Sequence, residues 1–334
     1  MTAGNPLASP ISPSPASSPA RKEEPFFTRN RILDTARIVV VLATLVVLAI
    51  LVPTFFTERN LVNVLVQASS LGLMAIGMSL VMIGGGMDLS IPSVMALSAI
   101  LGAMYLRDGG SLPIAMLIMV VVGVLAGCVN GYAVAYLKMI PFVVTLAMMT
   151  VISGLAIWIT YSVSVPVMDE AFFDLILSRI AGIPRPIIFL IIATVIMTLV
   201  MRRGLYGRWL YAVGTNARAA RVSGIPTRRV LFLTYVISGL FAGLTAILLS
   251  ARLGSASANI GNDGVVLDIV SAVVVGGVSI YGGVGGPLGA VLGAIFITAI
   301  SNSMNMLQVS FFASLVIKGL VIIVFVAFDS LKRR

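Results

Sequence analysis

From Ile38 onward the chain divides into apolar runs whose lengths match the thickness of a lipid bilayer. They fall at about 38–56, 61–83, 89–106, 113–137, 141–161, 187–201, 230–250, 265–281, 287–304 and 311–328. A helix of about 20 apolar residues crosses a roughly 30 Å hydrocarbon core. Charged residues make up only 10% of the 334, and 59% are hydrophobic. Soluble domains carry about 25% charged residues, so this chain reads as an all-α integral membrane protein. The expected fold is a polytopic bundle of about ten transmembrane helices.

Residues 1–36 do not belong to that bundle. Segment 8–20, ASPISPSPASSPA, is rich in Pro, Ser and Ala and cannot bury a core, so a disordered tail is expected. The run beginning at Ile38 is too long for the apolar part of a signal peptide, and Thr57-Glu58-Arg59 offers no small-residue cleavage site. It is expected to remain as the first span of a transmembrane domain covering residues 37–334.

The basic residues set the orientation, because cytoplasmic loops collect Lys and Arg. With the N-terminus inside, the tail, Lys138, the loop 202–229 and Lys332-Arg333-Arg334 lie in the cytoplasm with sixteen basic residues. Only Arg59, Arg107, Arg179, Arg185 and Arg252 then fall outside. Both termini are therefore expected to be cytoplasmic. The net charge of +10 is explained by topology, and no nucleic-acid partner is expected.

Several chemistries are excluded by composition. Histidine is absent and Cys128 is the single cysteine, so there is no zinc-type ligand set and no disulfide framework. No G-x-x-x-x-G-K-[ST] phosphate loop occurs, so the chain is not expected to hydrolyse ATP by that route. No metal, cofactor or catalytic residue is expected.

The apolar runs are broken at informative places. Gly84-Gly85-Gly86-Met87-Asp88-Leu89-Ser90-Ile91-Pro92-Ser93 interrupts two of them. Broken helices at membrane depth are tolerated only against protein or a water-filled cavity. Asp88 there reads either as a pathway or gate residue or as an N-cap for the next helix, and the two roles are compatible. Ser90 belongs to the same break. Gln67, Asn130, Asn302 and Asn305 fit interhelical hydrogen bonding before a pathway role, although hydroxyl-rich solutes would need such groups to replace water. Asp268 is open between a solvated loop-end acid and a structural hydrogen bond. For Lys318, packing is expected ahead of pairing with an acid. Gly123, Gly127 and Gly131, the pair Gly239 and Gly243, and the series Gly285, Gly289 and Gly293 recur at four-residue spacing, the pattern of close helix packing.

The loop from Met201 to Val230 holds seven arginines and no acid. Within it, TNARAARVSG is bracketed by Gly214 and Gly224 and followed by Pro226, which predicts a short helix capped by Thr215 or Asn216. Ala217, Ala220 and Arg221 share one face of it, and Arg218 adds charge. Such a helix suits docking on an acidic partner; binding of anionic membrane lipid is the competing reading.

Five collinear segments carry a family resemblance: GGGMDLSIPSVMALSA at 84–99, NGYAVAYLKMIPFVVTLAMM at 130–149, YAVGTNARAARVSGI at 211–225, VVVGGVSIYGGVGGPLGAVLGA at 273–294 and KGLVIIVFVAFDSLKRR at 318–334. Over about residues 37–334 the chain resembles the permease subunits of bacterial ATP-binding-cassette importers for monosaccharides, the ribose-type permeases. The resemblance implies a multi-pass inner-membrane permease that works as a pair, with a homodimer expected. It also implies a cytoplasmic ATP-binding subunit and an extracytoplasmic sugar-binding protein as partners. Gly214, Asn216, Ala217, Arg218, Ala220, Arg221 and Gly224 would then form the ATPase-coupling segment, and Asp88, Ser90, Asn130 and Asn302 the translocation pathway or gate. Two departures from the family pattern are Ile91-Pro92, where a valine–glycine pair is usual, and Val284, where a basic residue is common.

Two rival functions remain at this stage. An ion-coupled secondary transporter would need acid or histidine relays inside the membrane, and this chain is poor in both. A permease for branched-chain amino acids shares the architecture, and only the DLS segment argues for sugars instead.

Overall fold

The structure is a computed structural model that describes residues 50–261 and 263–333, together with Val39, Ala43, Thr44 and Val46. The expected tail, most of the first span and Arg334 lie outside the described residues.

The chain is built of helices: α1 (Glu58–Ile83), α2 (Ile91–Arg107), α3 (Leu112–Ala135), α4 (Pro141–Thr160), α5 (Glu170–Leu177), α6 (Arg185–Arg203), α7 (Leu205–Thr215), α8 (Ala217–Val222), α9 (Thr227–Leu253), α10 (Asp263–Val275), α11 (Pro287–Met306) and α12 (Phe311–Arg333). Among the described residues, four strands of two residues each pair as β1 (Val165–Pro166) with β4 (Ser255–Ala256) and β2 (Arg179–Ile180) with β3 (Ile183–Pro184), both antiparallel. Among the described residues, seven helical segments are long and apolar enough to cross a membrane. The helix α2, with 17 residues, is shorter, and it is buried over most of its length, so protein covers it.

Burial sorts the helices into two layers. In α1, 78% of the apolar window is buried, in α11 72% and in α9 61%, which makes these the centre of the bundle. In α3 and α4 the shares are 28% and 22%, and Leu117, Leu125, Val129, Val143 and Val151 point outward. The outer faces of α3 and α4 are therefore apolar, the kind of surface that a bilayer can solvate.

Small residues set how closely the layers approach. A Cβ on Gly123 would collide with the carbonyl oxygen of Gly239, and a Cβ on Gly239 with that of Gly123. The glycine series of α3 and the glycine pair of α9 therefore pack on each other, as the spacing predicts.

Two expectations need correction, and one gap between spans is filled. The eighth span does not run to residue 281: α10 stops at Val275, and Gly277, Gly282, Gly283 and Gly285 adopt left-handed φ values in the turns that follow. The interval 162–186, left between two of the expected spans, holds a helix of its own, α5, capped by Asp169, whose Oδ1 accepts from the Phe172 amide at 2.9 Å. Lys318 is not merely packed: its Nζ lies 2.8 Å from Asp268 Oδ1 and 2.9 Å from Oδ2, joining α12 to α10. The same contact resolves Asp268 as a structural partner.

Candidate functional site

The break after α1 is organised by its own backbone. Ile83 is the last helical residue, and the amides of Gly85 and Gly86 donate back to the carbonyls of Met82 and Val81 at 2.9 and 3.0 Å. Gly85 takes φ +83°, the left-handed value that closes a helix in this way. The chain then turns into α2, whose second residue is Pro92, a position that needs no backbone donor.

Asp88 sits in this turn, 2% exposed. Its Oδ1 accepts from the Ser90 amide at 3.1 Å and the Ser90 hydroxyl at 2.6 Å, and its Oδ2 accepts from the Ser238 hydroxyl of α9 at 2.7 Å. Asn130 of α3 donates from Nδ2 to Ser90 Oγ at 2.8 Å. Ser90 itself holds the N-cap position of α2, so the carboxylate does not cap that helix. It folds the turn and ties it to two neighbouring helices. A buried carboxylate needs this kind of compensation, because water is not there to supply it. The Asn130 Oδ1 and the Tyr235 hydroxyl are buried without a partner among the described residues, and a Cβ on Gly86 would come 2.6 Å from that hydroxyl.

The structure thus brings Asp88, Ser90 and Asn130 into one network. Asn302 stays outside it: the residue is buried in α11 and its Oδ1 has no partner among the described residues. Asn305 is exposed. Ser238 was not visible as a site residue from sequence. The only local signal is its place beside Gly239, which marks a closely packed helix face.

A second glycine-rich break meets the first. The Gly283 amide donates to the Ile83 carbonyl at 2.9 Å, and a Cβ on Gly282 would come 3.1 Å from Gly85 Cα. Gly214 completes the junction, because a Cβ there would collide with the Ile83 carbonyl oxygen and lie 2.7 Å from the Gly283 amide nitrogen. The Tyr211 hydroxyl donates to the Gly285 carbonyl at 2.6 Å. The Tyr206 hydroxyl pairs with Thr234 Oγ1 at 2.8 Å, and burial pushes its pKa up to about 12 against a smaller lowering by that bond. It is a neutral hydrogen-bonding group at any physiological pH.

The arginine-rich loop is therefore two helices. Gly214 lies within α7 and does not start the short helix, which begins after Asn216. Asn216 Oδ1 accepts from the amides of Arg218 and Ala219 at 3.1 and 3.0 Å, a full side-chain cap. Gly224, at φ +82°, ends α8, and the Ile225 amide returns to the Ala220 carbonyl at 3.0 Å. Ala220 is buried, so it faces the bundle and leaves the expected outward stripe. Ala217, Arg218 and Arg221 are exposed.

A buried, broken-helix core with a capped basic helix beside it is the architecture of a polytopic helical membrane protein. The family model that matches residues 60–326 is described as branched-chain amino acid transport system / permease component, and the chain belongs to that family. It is a multi-pass membrane protein and a transport subunit rather than an enzyme. Among its relatives, the probable ABC transporter permease protein y4mJ of Sinorhizobium fredii is 36% identical, covering 90% of this chain and 92% of the relative. The ribose import permease protein RbsC of Bacillus subtilis is also 36% identical, over 86% and 89% of the two chains. The L-arabinose transport system permease protein AraH of Escherichia coli is 34% identical, over 92% and 94%. No solved structure matches.

Proposed function

We propose that this chain is the membrane-spanning permease of an ATP-driven importer that carries a monosaccharide by alternating access across a bacterial inner membrane. The observation that supports it most is the near full-length similarity to ribose and L-arabinose permeases. Branched-chain amino acids, which the family description would allow, are the lesser reading, because those relatives carry sugars in their names. Ion coupling gains no support from the half-buried Asp268–Lys318 pair, whose charges are already matched.

In this reading both termini are cytoplasmic, about ten helices span the membrane, and two copies of the chain act together. A cytoplasmic ATP-binding subunit docks on Arg218, Arg221 and Ala217 of α8, and an external binding protein delivers the sugar. Asn216 and Gly224 hold the shape of α8. Ala220 seats it on the bundle, and Gly214 passes its movement on to the two glycine breaks. Asp88, Ser90 and Asn130 act as a gate brace, holding the break while the helices around it shift. Asn302 is the remaining pathway candidate, with a buried acceptor free to meet a hydroxyl. Membrane lipid surrounds α3 and α4.

The substrate class is tested by reconstituting the chain with its ATP-binding subunit and binding protein. Uptake of labelled ribose and arabinose above that of leucine is expected. Uptake of leucine alone would give the site to amino acids.

A further inference from the structure

The network around Asp88 leaves two polar groups beside it unused. Asn130 donates from Nδ2 to Ser90 Oγ, while its Oδ1 is buried with no partner among the described residues. The Tyr235 hydroxyl on α9 is buried in the same condition. Thr234, Ser238, Thr245 and Ser250 of that helix each place a hydroxyl on an acceptor, so Tyr235 stands apart from them. One of the two unused groups is an acceptor, and the other is a hydroxyl able to donate. Unpaired buried groups cost stability, and native folds keep such costs mainly at functional sites, where a second arrangement can use them.

The helices bring both residues to one contact. Gly127, Asn130, Gly131 and Val134 share a face of α3 at helical spacing. A Cβ on Gly127 would collide with the Tyr235 carbonyl oxygen, and one on Gly131 would come 3.2 Å from Tyr235 Cβ. Val134 packs in the same apolar cluster as Tyr235. Ser238, one turn further along α9, holds Asp88 Oδ2. The Tyr235 hydroxyl itself rests against Gly86 of the break, where only the lack of a side chain leaves room for it. The position of the break therefore decides what this hydroxyl can reach.

We propose that Tyr235 is a positioning residue of the gate: when the break at 84–90 shifts during transport, the hydroxyl leaves Gly86 and donates to Asn130 Oδ1. That bond stabilises the shifted break, whereas the three donors on Asp88 stabilise the present one. The proposal rests on the reading of the chain as an alternating-access permease, and adds to it the residue pair that favours the second state.

The test is hydrogen–deuterium exchange of the full-length chain in lipid nanodiscs, read at the amides of Gly85, Gly86 and Ser90, which are bonded in the present break. Tyr235→Phe removes only the hydroxyl. It should slow exchange there at least about threefold, because the shifted state loses a bond and the present one loses none. In an Asn130→Ala background the same substitution should have no further effect, since the acceptor is gone. A hydroxyl that merely braces the present structure would give the opposite sign, and faster exchange in Tyr235→Phe would overturn the proposal. Unchanged exchange, or equal slowing without Asn130, would overturn it too. Tyr235→Phe should also lower the maximal rate of sugar uptake by the assembled complex, and an unchanged rate would remove Tyr235 from the gate. Exchange is measured on the chain alone, so a wild type that takes up no sugar with ATP would sink the transport reading while leaving the exchange result standing.

Discussion

Ser238 donates its hydroxyl to Asp88 Oδ2 at 2.7 Å, across 150 residues of sequence. The bond fastens the turn between α1 and α2 to the middle of α9, which is one of the central helices. Ser238→Ala removes one of three donors to a buried carboxylate. Losing a hydrogen bond to a buried charged group costs about 1.5–3 kcal/mol. A lower melting temperature in detergent, together with slower uptake, is the expected result. Equal stability would mean that the bond is dispensable.

The contact between Gly123 and Gly239 leaves no room for a side chain. Gly239→Val should push α9 away from α3 and cost about 1–3 kcal/mol, the usual scale of overpacking. Reduced yield of folded protein and a lower melting temperature would report it. A variant at Gly154, where nothing lies near an added Cβ, should behave like the wild type.

Lys318 and Asp268 form an ion pair with side chains 13% and 22% exposed. Breaking a fully buried pair costs about 3–5 kcal/mol, and partial exposure here should bring the loss nearer the lower end. Lys318→Met should therefore destabilise more than Lys318→Met combined with Asp268→Asn. Thermal unfolding of the two variants and of Asp268→Asn completes the cycle, and additive losses would argue against the pair.

Asn216 is the whole N-terminal cap of the six-residue α8. Asn216→Ala should cost about 1 kcal/mol, enough to fray so short a helix while the bundle stays folded. The expected readout is weaker co-purification with the ATP-binding subunit at an almost unchanged melting temperature. Full retention of the partner would remove α8 from the docking surface.

The helices themselves were legible because bilayer thickness fixes their length. The run 141–161 is α4 almost to the residue, and 61–83 needs only three more residues at its start to become α1. The end of α10 was not legible, since Val278 and Ile280 are as apolar as a span requires. What stops that helix is the glycine-rich chain after Val275 folding against α1. Gly214 was misread for a similar reason. A glycine before a run of helix formers looks like a start signal, whereas the residue is required by the Ile83 carbonyl pressed against it. Asp88 was visible as an isolated acid in an apolar region. Its partner Ser238 was hidden, because one serine in a buried helix face carries no local pattern.

The central claim is that the chain moves sugar with energy supplied by a separate ATP-binding subunit. The direct test is uptake of labelled ribose or arabinose into proteoliposomes holding the complete complex and the external binding protein, with ATP or a non-hydrolysable analogue enclosed. The account predicts concentrative uptake with ATP and none with the analogue. Equal uptake in both, or uptake driven by an ion gradient alone, would contradict it.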